Sequence, residues 1–142
     1  MSSANPPVIV RPDECCFACS SNNLQGLQLD FQECEGRARA VWKPSSIWEG
    51  FRGIIHGGLV STVLDEAMSK AVGLSGHTAL TCELRVRLKL QVKPGETLVV
   101  MGWLVDKTKR KIVAEATLAG ANGQEKAHAW GVFLEIAGLE GQ

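Results

Sequence analysis

The chain has 142 residues, with 15 basic and 15 acidic side chains and a formal net charge of zero. That length suits a single domain over 1–142 with a sizeable core. Neutrality argues against a general nucleic-acid binder, which carries a basic face, and no apolar run reaches the roughly 20 residues of a membrane span.

Residues 1–14 include Pro6, Pro7 and Pro12 and lack a basic stretch followed by an apolar one. They read as a flexible lead-in without a secretory signal. The five cysteines are then expected to be reduced, in a cytoplasmic protein. Cys16 and Cys19 form a CxxC pair. A structural zinc site needs four ligands, and the sequence has no second CxxC and no HxxxH. The expectation is a reduced, packed pair, with no metal and no cofactor.

Leu27, Leu29 and Phe31 alternate with Gln28, Asp30 and Gln32, the period of two of a half-buried strand. Ala38, Ala40 and Trp42 alternate with Arg37, Arg39 and Lys43 in a second strand, with Cys34-Glu35-Gly36 as the turn between them. Pro44–Gly53 reads as a loop.

Gly53-Ile54-Ile55-His56-Gly57-Gly58 then leads into a helix. At 100° per residue its apolar residues, from Leu59 to Val72, cover an arc of roughly 220°. A surface helix needs only about 100°, so this one is expected to be covered on more than one side. Beyond it, Leu80, Cys82, Leu84, Val86, Leu88 and Leu90 alternate with Thr81, Glu83, Arg85, Arg87, Lys89 and Gln91. Pro94-Gly95 makes a turn. Leu98–Val105 is almost wholly apolar, as for a strand covered on both faces, and Asp106–Lys109 reads as a hairpin loop. Ile112, Ala114, Ala116 and Leu118 alternate again, Asn122-Gly123 signals a hairpin, and a last strand runs from about Lys126 to Ile136. Two strands, one helix and four strands give an α+β class, with an antiparallel sheet curled around one central helix.

The helix start carries the chemistry. The first N–H groups of a helix have no internal partner, and the dipole favours negative charge there. A thioester carbonyl on the donors of Gly57 and Gly58 would be polarised, increasingly so as its oxygen becomes anionic. The plainer reading of these glycines is close packing or a simple helix start. Two acids follow. Glu66 has Lys70 at i+4, a solvated pair. Asp65 has no local basic partner and lies at the margin of the apolar arc, where partial desolvation would raise its pKa toward general-base values. It reads equally as a plain exposed aspartate.

Gly58 and Asp65 are roughly 10 Å apart along the helix axis. One helix is therefore a poor source of both halves of one site. Two antiparallel copies would supply both, which predicts an obligate dimer with two sites shared between subunits. Arg85, Arg87 and Lys89 line one strand face, either as a solvated surface or, with Arg87, as an anchor for the phosphate groups of a ligand. His77 and His128 are isolated and read as structural or solvated.

His56-Gly57-Gly58, with Asp65 nine positions after His56, resembles the hotdog-fold acyl-CoA thioesterases, in the branch that includes phenylacetyl-CoA thioesterase-like proteins. The resemblance extends to Cys16-Phe17-Ala18-Cys19, Gly26-Leu27 and Val92-Lys93-Pro94-Gly95-Glu96. It implies a hotdog sheet around the central helix, dimers or tetramers, and an acyl-CoA substrate. It implies Asp65 as nucleophile or general base, with Gly57 and nearby His56 polarising the carbonyl. Relatives place a Ser or Thr after the helix to assist the acid, and Thr81 matches that position. They often carry an amide residue in the loop before the glycines, where this chain has Glu49. Rival readings are a hotdog hydratase or dehydratase and a non-catalytic acyl-CoA-binding protein.

Overall fold

Glu35 and Gly36 take φ of 52° and 79°, the left-handed pair of a two-residue hairpin turn. They join β1 (Gln32–Cys34) to β2 (Arg37–Trp42), with Cys34 opposite Arg37. The computed structural model describes residues 15–136; the expected lead-in over 1–14 lies outside the described residues. The first predicted strand is shifted. Leu27 and Leu29 are buried as the alternation requires, but their N–H groups bond to the carbonyls of Phe17 and Ala18 at 2.8 and 2.9 Å. The cysteine-bearing segment takes the place of a sheet neighbour there.

The helix α1 (Gly57–Leu74) is followed by β3 (Ala79–Leu88), β4 (Leu98–Thr108), β5 (Lys111–Gly120) and β6 (Glu125–Glu135). All six strands form one antiparallel sheet in the order β1-β2-β4-β5-β6-β3. The expected loop at Asp106–Lys109 is a tighter turn, because β4 continues to Thr108 opposite Lys111.

Val60, Val63, Leu64, Ala67, Met68, Ala71 and Val72 form the buried side of α1. The helix lies so close to the sheet that a Cβ on Gly102 of β4 would sit 2.3 Å from the Ala67 carbonyl oxygen. Gly131 of β6 clears Met68 in the same way, at 3.0 Å. These two glycines set the depth of the helix, and so of Asp65, against the strands.

Two expectations about strand faces need correction. In β4, Leu98 and Val100 are buried while Val99, Met101 and Trp103 are half-buried, so one face packs inward and the other faces outward. On that outer face the guanidinium of Arg37 covers the Trp103 ring at 4.4 Å. In β3 the register against β6 shifts between Thr81 and Glu83. Cys82 is the extra residue of a bulge, and a bulge re-aims the side chains that flank it. Leu84, Val86 and Leu88 lie opposite Gly131, Ala129 and Ala127, on the helix side. Thr81 lies opposite the buried Phe133, also on the helix side, whereas Leu80 pairs with the exposed Leu134. Simple alternation had put Thr81 and Leu84 on opposite faces.

Candidate active site

The approach to α1 is held by its own backbone. The Ile55 N–H donates to the Val92 carbonyl at 2.8 Å, and the His56 N–H donates to the Trp48 carbonyl at 3.0 Å. Glu49 belongs to this scaffold, since its Oε2 accepts the Gly53 N–H at 3.1 Å. Its carboxylate thus holds the turn before the glycines.

His56 is the N-cap of the helix, and its Nδ1 accepts the Gly58 N–H at 2.9 Å. That bond assigns the acceptor nitrogen to Nδ1. The two predicted donors therefore differ. The Gly58 N–H is committed to His56, whereas the Gly57 N–H has no hydrogen-bond partner among the described residues. Gly57 packs close to Leu88, for a Cβ would stand 2.8 Å from Leu88 Cδ1 and would make that exposed side chain turn aside. Two clefts meet here. One, of about 250 Å³, runs between Val60 and the segment Leu88–Val92; the other lies beside Phe51 and His56. Ile54, Ile55 and Gly57 line both, so the Gly57 donor stands where an apolar chain and a polar head could meet.

Asp65 sits two turns into the helix and is half-buried. Its Oδ1 accepts the Thr81 hydroxyl at 2.8 Å, the contact that the bulge at Cys82 permits. No cation pairs with it among the described residues. Burial pushes its carboxyl above the ordinary carboxylate value, while the Thr81 hydrogen bond pulls the other way. The outcome is a carboxylate that is desolvated, oriented by one donor and not neutralised, which suits proton abstraction or direct attack.

The structure thus brings Asp65 and Thr81 together, and His56, Gly57 and Gly58 together. It does not bring Arg87 to either group. Arg87 lies opposite His128 on the outer face of the sheet, beside Arg85, whose guanidinium covers Trp130 at 4.8 Å. His77 and His128 each meet a glutamate, Glu135 and Glu115, at 2.8 Å. Glu66 has more than its Lys70 partner, for it also faces Cys16 and Cys19 across the edge of the helix.

A sequence model described as the thioesterase superfamily matches residues 52–127. The chain is 32% identical over 122 residues to the human acyl-coenzyme A thioesterase THEM5, an alignment covering 83% of this chain and 49% of that protein. It spans about half the length of the curated relatives it matches. A crystal structure of a thioesterase superfamily protein superposes with a TM-score of 0.81 at 22% identity, over 84% of this chain and 63% of that one. The PaaI protein of the Escherichia coli phenylacetic acid degradation operon gives 0.74 at 19% identity, over 80% and 83%. Among the described residues, no helix is long and apolar enough to cross a membrane.

Proposed function

The chain belongs to the thioesterase superfamily and has the hotdog fold, and on that premise we propose that it hydrolyses an acyl-CoA to the free acid and CoA. The observation that carries this reading is Asp65, which is partly desolvated, without a cation among the described residues, and bonded by the Thr81 hydroxyl at 2.8 Å. As general base it takes a proton from water, and the hydroxide forms a bond to the thioester carbon. The Gly57 N–H stabilises the resulting oxyanion. Collapse breaks the C–S bond, and the proton leaves with the CoA thiol. As nucleophile, the same carboxylate would displace the CoA thiolate, breaking the C–S bond to form a mixed anhydride, and water would then open the anhydride to release the acid and restore the carboxylate. His56 acts by capping the helix and fixing the glycine backbone, and Thr81 by orienting the acid. Glu49 shapes the loop beside the second cleft.

Each site is proposed to lie between two subunits. Asp65 is eight residues beyond Gly57, about 12 Å along the axis, whereas attacker and oxyanion donor must both stand ~3 Å from one carbonyl group. The edge strand β3 supports the pairing. It is ten residues long, with Leu84 and Leu88 exposed at 39% and 52% on the helix side, and a long apolar edge invites a second chain. Pairing two copies there would bring Asp65 of one toward Gly57 of the other. The outer face of Val99, Met101 and Trp103 supports a further association of dimers into tetramers, and Arg87 would reach CoA phosphates only across such a boundary. Five cysteines without a disulfide support a reducing, cytoplasmic setting.

The test is a hydrolysis screen over short, long and aromatic acyl-CoAs, read by release of free thiol. Turnover of at least one class is expected. Acyl-CoA binding by calorimetry without thiol release would make the protein a binder, and hydration of an enoyl-CoA would make it a hydratase.

A further inference from the structure

On the opposite margin of α1 from Asp65, Glu66 faces a turn built by Cys16 and Cys19. The Ser20 N–H donates to the Cys16 carbonyl at 3.0 Å, and Phe17 and Ala18 receive the N–H groups of Leu27 and Leu29. Gly26 is packed against the Phe17 carbonyl so closely that a Cβ there would sit 2.3 Å from the oxygen. The turn is therefore fixed by backbone contacts and holds two sulfurs toward the helix. One ligand atom from each of Cys16, Cys19 and Glu66 lies within 4.8 Å of the others, and all three residues are half-buried. Cys16 Sγ is 3.9 Å from Glu66 Oε2.

We propose that Cys16, Cys19 and Glu66 bind one zinc ion, with water as the fourth ligand, so that the metal ties the cysteine turn to the central helix. Two thiolates and one carboxylate are a donor set that zinc accepts in tetrahedral geometry, with Zn–S of about 2.3 Å and Zn–O of about 2.0 Å. Those bond lengths separate the donors by about 3.5–3.8 Å, so the present spacing, with every pair within 4.8 Å, is close to that of a closed site. The softness of two sulfurs selects zinc over magnesium or calcium. Three anionic ligands around a divalent cation leave one negative charge. The Lys70 ammonium, 3.8 Å from Glu66 Oε2, stands where it offsets that charge. The sequence offered only two ligands in a row; the third comes from the helix once the chain has folded.

Zinc takes each cysteine as the thiolate, so binding releases protons.

The experiment uses the full chain, reduced and stripped by a chelator, titrated with cobalt(II) as a coloured substitute and then with zinc. One cobalt per chain with a sulfur-to-cobalt charge-transfer band in the near ultraviolet, erased by one equivalent of zinc, is expected. Cys16→Ser and Cys19→Ser should each abolish the band, Glu66→Gln should weaken binding tenfold or more, and Cys82→Ser should leave it intact. A wild-type protein with no such band, or one whose reduced Cys16 and Cys19 form a disulfide in preference to holding the metal, would overturn the proposal. So would zinc stoichiometry unchanged by Glu66→Gln and by both cysteine variants. Because the wild-type band is itself decisive, a variant that fails to fold does not rescue the idea.

Discussion

Asp65→Asn separates a catalytic carboxylate from a structural one, because the two readings predict opposite effects on stability. Asparagine has nearly the same shape, and its carbonyl can still accept the Thr81 hydroxyl, which now sits 2.8 Å from Oδ1. It cannot take a proton from water or attack a thioester. Loss of a positioned general base costs about 10²–10⁴ in rate, or roughly 3–5 kcal/mol of barrier at 1.36 kcal/mol per decade. Stability should move the other way or not at all. Burial raises the folded-state pKa of Asp65 above its unfolded value, so the unfolded chain ionises more readily. The contribution of this group to stability is then full below the unfolded pKa and is lost as pH rises through the folded pKa. At neutral pH the ionised acid is a burden that an amide does not impose. Thiol release from acyl-CoA should fall at least a hundredfold in the variant, while its thermal midpoint at pH 7 equals or exceeds that of the wild type. Turnover within tenfold of wild type would remove Asp65 from the reaction. A midpoint several degrees lower would show that the carboxylate is there to hold the fold.

The hydroxyl of Thr81 lowers the pKa of Asp65, so Thr81→Val should shift the acid limb of kcat/KM to higher pH and Thr81→Ser should restore it; a limb that does not move with Val would dissociate the two residues. His56→Ala removes the acceptor for the Gly58 N–H and should cost about 1 kcal/mol by denaturant titration, with most of it recovered in His56→Asn. Equal midpoints for all three proteins would mean that the cap is worth nothing. Gly102→Ala places a methyl against the Ala67 carbonyl and should destabilise by about 1–3 kcal/mol; a fully wild-type midpoint would contradict the close helix–sheet contact. Leu84→Glu puts a charge on the open edge of the sheet and should yield a folded monomer without turnover in analytical ultracentrifugation coupled to assay. Active monomers would refute the shared site.

Local patterns were legible in the sequence to the extent that their physics is local. The turn at Glu35-Gly36, the glycine-led helix start and the apolar side of α1 follow from backbone freedom and periodicity, and each is where the residues placed it. The inward period of Leu27 and Leu29 was equally readable. Their backbone partner was not, because burial says nothing of whether a strand bonds to a sheet or, as here, to the turn of Phe17 and Ala18. The bulge at Cys82 escaped for a similar reason. An extra residue changes no composition and only breaks the parity of a strand, and unbroken alternation set Thr81 on the face away from the helix. Resemblance alone suggested Thr81 as the partner of Asp65, and the bulge reconciles the two.

The same limit explains the pair of acids. Adjacent helical residues point about 100° apart, so Asp65 and Glu66 lie at opposite margins of the apolar arc. The Lys70 contact of Glu66 is four residues away and visible as a spacing. Cys16 lies fifty residues away, and nothing in the helix forecasts it. One acid is turned toward β3 and a hydroxyl, the other toward two sulfurs and an ammonium. Substituting either should therefore leave the other's chemistry in place: Glu66→Gln should spare the acid limb of the pH profile proposed for Asp65, and Asp65→Asn should spare the cobalt band. A loss of both properties in either variant would mean that the two margins of the helix are not independent.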